Sequence, residues 1–154
     1  MVGDDGVWTA HADGTALPNP GDLAVGVVVV APDGTRQTAS RRLGLHGCNH
    51  EAEGRALHEA LSLAWSLGAR RVRAHSDSAV VVEQTAGGRR TSVPRLVPVF
   101  ESLRALLARF DDATVVLIPR AKNSEADALA RAASGVAPHQ RRIAGRRRRQ
   151  QRRG

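Results

Sequence analysis

Apolar positions change period several times along the chain, and each change marks an element. Residues 7–13, VWTAHAD, alternate apolar and polar and read as a half-buried strand. Residues 23–31, LAVGVVVVA, are almost continuously apolar and rich in β-branched residues, as in a strand covered on both faces. The turn signal PDGT at 32–35 follows. The more polar TRQTASRRL at 35–43 then predicts an edge strand pairing back on its predecessor. From Asn49 to Leu67 the period becomes helical. Leu57, Ala60, Leu61, Ala64, Trp65 and Leu67 recur at helical spacing, and Gly68 ends the run.

Shorter segments complete the pattern. RRVRAHSD at 70–77 predicts a strand, and 78–88 a short helix closing on a Gly pair. Residues 88–94 read as a loop, Arg95–Phe110 as an amphipathic helix, 113–120 as a strand and Ser124–Ser134 as a final helix. Three strands followed by alternating helices and strands predict an α/β fold. Its five-stranded mixed sheet joins an antiparallel meander to parallel crossovers, with helices on both faces.

The 154 residues suffice for one domain with a sizeable core. Two Trp, two Phe and no Tyr leave that core to Val, Leu, Ala and Ile. The net charge of +8 is concentrated at one end. Eight Arg and no acid follow His139, so the remaining Lys and Arg balance the 15 Asp and Glu. The expected division is a folded domain over 1–136 and a disordered Arg-rich tail over 137–154. The tail, including Arg146, Arg147, Arg148 and Arg149, suits a salt-dependent tether to phosphate backbone; a merely solubilising tail is the plainer alternative. A single cysteine, Cys48, excludes an internal disulfide and a Cys-based zinc site. With no basic-plus-apolar leader and no apolar run long enough for a membrane, a cytoplasmic, monomeric protein is expected.

Four acids stand out. Asp13 is placed at the end of the first strand, before the Gly- and Pro-rich GTALPNPG; an Asx-turn would also explain it. Glu53 shares a helix face with Leu57, Ala60 and Ala64, where an unpaired carboxylate is costly. Glu51 and Glu59 can point outward, whereas Glu53 cannot easily do so. Asp77 ends a strand just before a helix, as a cap neighbour or as a ligand group at a sheet's carboxyl edge. Asp127 lies three residues after Ser124, the spacing of a capping box. Together they form a cluster of hard oxygen donors, which selects Mg²⁺ or Mn²⁺ over zinc.

DGTALPNPG after the first strand, NHEAEGRAL opening the long helix, SDSAVVVEQTAG after the fourth strand and IPRAKNSEADALA near the end resemble the type 1 ribonuclease H family. They are closest to its compact branch without the extended basic handle, and the resemblance spans roughly residues 7–134. It implies a ribonuclease H-like sheet and a metal-dependent endonuclease that hydrolyses the RNA strand of RNA/DNA hybrids. It further implies products with 5′-phosphate and 3′-hydroxyl ends. Asp13, Glu53, Asp77 and Asp127 match the metal-binding carboxylates, with two ions per site. Contacts to the hybrid are expected from Gly14, Thr15, Asn19, Asn49, His50, Ser78, Arg89, Arg90, Arg120, Lys122 and Asn123, and from the tail. Three positions depart from the pattern. His50 stands where a second Asn is frequent, Ala79 where some members carry Gln, and the PRAKNS loop lacks a His. A non-catalytic nucleic-acid-binding module on the same fold, or a nuclease acting on another nucleic acid, remains as the alternative.

Overall fold

The computed structural model describes residues 6–135. The expected tail with Arg146 to Arg149, and the domain limit at 136, lie outside the described residues. Ten elements follow one another: β1 (Val7–Leu17), β2 (Gly21–Val30), β3 (Arg36–Gly47), α1 (Asn49–Ser66), β4 (Arg71–Ser76), α2 (Ala79–Thr85), α3 (Val97–Arg109), β5 (Asp112–Leu117), a 3₁₀ turn (Arg120–Asn123) and α4 (Ser124–Ala133).

The sheet has the order β3-β2-β1-β4-β5. β1–β2 and β2–β3 are antiparallel; β1–β4 and β4–β5 are parallel. The expected mixed sheet is therefore present, and β1 is the strand at which its direction of pairing changes. Among the described residues, no helix is long and apolar enough to cross a membrane.

One boundary matters for the site. Asp13 does not end β1; the strand continues to Leu17, with Gly14 opposite Val25 and Leu17 opposite Asp22. The hairpin turn is only Pro18, Asn19 and Pro20, and the Asx-turn reading of Asp13 is removed. The composition of GTALPNPG concealed this, because five of its residues are paired strand. β3 likewise extends past its expected end, from Leu43 to Gly47.

Helices cover the two faces through glycines. Gly14 lies beneath α1, where a Cβ would collide with the Ala52 carbonyl and approach the Glu53 amide. Gly26, the cross-strand partner of Asp13, lies beneath α4 against Ala126 and Ala130. Bare backbone at these two points lets each helix approach closely. Small residues do the same along α1: Ala52, Ala56, Ala60 and Ala64 are fully buried beside Leu57 and Leu61. Each buried Leu contributes about 1.5–3 kcal/mol to stability. α3 begins at Val97 rather than Arg95, with Pro98 in its first turn, where a missing N–H costs nothing.

β3 fastens α4 from the sheet's edge. Arg36 pairs with Glu125, Ser40 Oγ donates to the Leu129 carbonyl at 2.6 Å, and Arg42 Nε donates to the Ala133 carbonyl at 2.9 Å. These contacts fix the helix that carries Asp127.

Candidate active site

The sheet brings the first two acids together by register. β1 and β4 run parallel with His11 beside His75, and the two rings stack with centroids 4.4 Å apart. Asp13 and Asp77 each lie two residues further on, at the carboxyl end of this parallel pair. That edge of an α/β sheet is where ligands bind. Glu53 comes from the second turn of α1, its side chain 17% exposed. Asp127 comes from the first turn of α4.

The four are electrostatically one group. Burial, followed by the Asp77 carboxylate, a hydrogen bond shared with Asp127, and the charges of Asp127 and Glu53, pushes the Asp13 carboxyl up to about 8 from its ordinary 3.8. A cavity of about 410 Å³ opens over three of them, lined by Asp13, Glu53, Asp127, Asn49, Arg120 and Arg131 among others.

Among the described residues, no three His, Cys, Asp or Glu side chains already stand as ready metal ligands. Each outer carboxylate is instead turned to a neighbour. Asp127 accepts from Arg131 Nε at 3.0 and 3.2 Å, Glu53 lies 3.3 Å from His50 Nδ1, and Asp77 accepts from Asn123 Nδ2 at 3.0 Å. The donor set nevertheless fits a divalent cation. It is all oxygen, three of its four members line a cavity, and the neighbouring carboxylates add to burial in raising Asp13; a cation relieves that repulsion.

The turn and α1 are tied to each other beside this cavity. Asn49 Oδ1 accepts from the Ala16 amide at 2.9 Å, and Asn19 Oδ1 accepts from the Asn49 amide at 3.1 Å. The Pro and Gly of the turn thus set a path that two asparagines lock. Thr15 and Arg120 are at least partly exposed and line the cavity, and His50 is exposed beside Glu53, whereas Lys122 lines a smaller neighbouring one with His11 and Arg36. Arg89 and Arg90 are exposed on a separate loop. Buried Gln84 holds it, donating to the Arg89 carbonyl at 2.8 Å and accepting from the Thr91 amide at 3.0 Å.

Several expectations are corrected. Ser78 is buried and caps α2, accepting from the Val81 amide at 3.3 Å, so its side chain does not face a ligand. Asn123 is 1% exposed and cannot touch nucleic acid. Gly14 is buried under α1 rather than in a loop. Asp127 forms no capping box, because the N-cap of α4 is Asn123 and the Asp127 carboxylate goes to Arg131. Glu51 does not point outward: it is buried, accepting from Arg95 Nε at 2.5 Å and Arg55 Nε at 3.0 Å. Arg131 was not singled out from the sequence, although its spacing of four from Asp127 is the signal of a helical ion pair.

A family model described as "Reverse transcriptase-like" matches residues 11–133. Ribonuclease HI of Halobacterium salinarum is 37% identical over 121 residues, which are 79% of this chain and 61% of that protein. The chain belongs to the type 1 ribonuclease H family. The ribonuclease H1 structure from Halobacterium salinarum superposes with a TM-score of 0.79, covering 84% of this chain and 98% of that one. The N-terminal RNase H domain of a bifunctional protein from Mycobacterium tuberculosis, solved as a fusion with maltose binding protein, gives 0.77 at 33% identity, covering 82% and 98%. A ribonuclease H1 isolated from compost by a metagenomic approach, solved in complex with RNA/DNA hybrid, gives 0.71 at 29% identity, covering 82% and 95%. The matched length is only 61% of the full Halobacterium relative and 35% of the mycobacterial one. The ribonuclease H fold is thus shared almost completely with the solved domains.

Proposed function

We propose that this chain is a metal-dependent endonuclease that hydrolyses the RNA strand of RNA/DNA hybrids, leaving 5′-phosphate and 3′-hydroxyl ends. The observation that carries this reading is the convergence of Asp13, Glu53 and Asp127 on one cavity, with Asp77 beside Asp13 at the carboxyl edge of the β1–β4 pair; burial and these neighbouring charges raise the Asp13 carboxyl. Such crowding is costly to a binding module, whose phosphate ligand it repels, and it is what a cation site requires. The ribonuclease H relative solved with an RNA/DNA hybrid supports the same substrate.

Two divalent cations, Mg²⁺ or Mn²⁺, held by Asp13, Glu53, Asp77 and Asp127, would supply an activated water and neutralise charge on the phosphate being cut. The chain's own residues do the rest. Asp13 would give up its proton to solvent where a cation is held there. Arg131, which donates to Asp127 at 3.0 and 3.2 Å, would be free to pair with phosphate where a cation takes that carboxylate. Arg120, exposed at the cavity, pairs with phosphate. Asn49, with Oδ1 committed to Ala16, leaves its amide NH₂ for the sugar, where a 2′-hydroxyl separates RNA from DNA. The Asn19–Asn49 lock keeps the Thr15 side of the turn in place against the nucleic acid.

A panel of labelled duplexes tests the substrate class. Cleavage is expected only in the RNA strand of the hybrid, with product 3′ ends that a polymerase extends directly. Equal cutting of RNA/RNA or DNA/DNA duplexes would refute the hybrid reading.

A further inference from the structure

Asn123 is spent in an unusual way for its position. It is the N-cap residue of α4, where an Asn side chain ordinarily accepts from a backbone amide of the first turn. It makes no such bond. Its Nδ2 is divided between the Ala12 carbonyl at 2.9 Å and Asp77 Oδ2 at 3.0 Å. Both partners are acceptors, so the amide's orientation is fixed by chemistry: only its NH₂ group can face them. Its Oδ1 is buried and has no partner. The side chain is 1% exposed.

A helix cap is forgone and an acceptor is left orphaned, each at a cost to stability. What they accompany is a bridge across three elements. Ala12 adjoins Asp13 on β1, Asp77 follows β4, and Asn123 leads α4, four residues before Asp127. The bridge therefore ties the supports of three of the four acids at one point. It also selects which Asp77 oxygen is occupied, Oδ2.

We propose that Asn123 is a positioning residue of the carboxylate site: its amide holds Asp77 to the β1 backbone beside Asp13, so that the acids are set before a cation arrives. This rests on the metal-dependent reading above. Groups that orient metal ligands in this manner change metal affinity or turnover by about 10- to 100-fold when removed.

The test compares the full chain with Asn123→Ala and Asn123→Asp. The aspartate keeps the shape of the side chain but exchanges the donor for an acceptor facing Asp77. Asn123→Ser, which keeps one donor, replaces the alanine variant if that does not fold. Two quantities are read: the Mn²⁺ concentration that half-saturates the metal-induced rise in Tm, without substrate, and kcat and KM on an RNA/DNA hybrid. Both variants are expected to need roughly tenfold more Mn²⁺ or to lose about 10- to 100-fold in kcat, with KM within about threefold. A folded Asn123→Asp whose Mn²⁺ midpoint and kcat match the wild type would overturn the inference, whatever its loss in Tm. Failure of the wild type itself to cut the hybrid would instead refute the proposed function, and the Mn²⁺ midpoints would still decide the role of Asn123.

Discussion

Asp13→Asn is expected to abolish hybrid cleavage, by on the order of 10³-fold or more, while making the cation-free protein more stable. The two effects have one cause. Asp13 is the most crowded of the four acids, and burial with its three neighbours holds its carboxyl up to about 8. In the unfolded chain it ionises near its ordinary 3.8. Between these values the folded state keeps a proton that the unfolded state has lost. Stability without cations therefore falls as pH rises from about 4 to about 8, and is flat above. Asparagine cannot ionise, so the variant escapes that loss. The gain should be about 1–3 kcal/mol at pH 8 and small at pH 4. Thermal denaturation in EDTA at both pH values checks the sign. A variant less stable than the wild type at pH 8 would show that Asp13 is not under the repulsion described.

Gly14→Ala and Gly26→Ala are expected to be strongly destabilising, at about 3 kcal/mol each. A Cβ at either position meets helix backbone rather than a flexible side chain. At Gly14 it meets the Ala52 carbonyl, so α1 must lift, and Glu53 with it. At Gly26 it meets the Ala126 carbonyl, so α4 must lift, and Asp127 with it. Tm should fall by roughly 10 °C, and the folded fraction should cleave the hybrid poorly. Gly88→Ala is the control. Its Cβ would make only an ordinary 3.4 Å contact with the Glu83 side chain, and a change within about 0.5 kcal/mol is expected. Equal Tm values for Gly14→Ala and Gly88→Ala would refute the close approach of α1.

The order of elements was legible because period alone separates the continuous β2 run from the amphipathic α1. Glu53 was legible because it breaks an apolar stripe. What escaped depended on partners distant in the chain. Glu51 looks like an outward helix acid until Arg95, 44 residues away, closes on it. The continuation of β1 through Gly14 was hidden because glycine there serves α1 packing, and glycine in sequence reads first as a turn. Ser124 and Asp127 have capping-box spacing, yet Asn123 takes the N-cap and Arg131 takes the carboxylate. Asn123 itself matched a nucleic-acid contact by motif, and only its burial between β1 and β4 shows otherwise.

The decisive measurement is the rate of RNA/DNA hybrid cleavage against Mg²⁺ concentration at pH 6.5 and pH 8.5, with an EDTA control. Asp13 must lose its proton before the four carboxylates can hold a cation, so each pH unit below about 8 weakens the site by up to tenfold. Cleavage should be absent in EDTA, and the half-saturating Mg²⁺ concentration should be at least about tenfold higher at pH 6.5. Cleavage that persists in EDTA, or a bound hybrid left intact at every Mg²⁺ concentration, would contradict a metal-dependent nuclease built on Asp13, Glu53, Asp77 and Asp127.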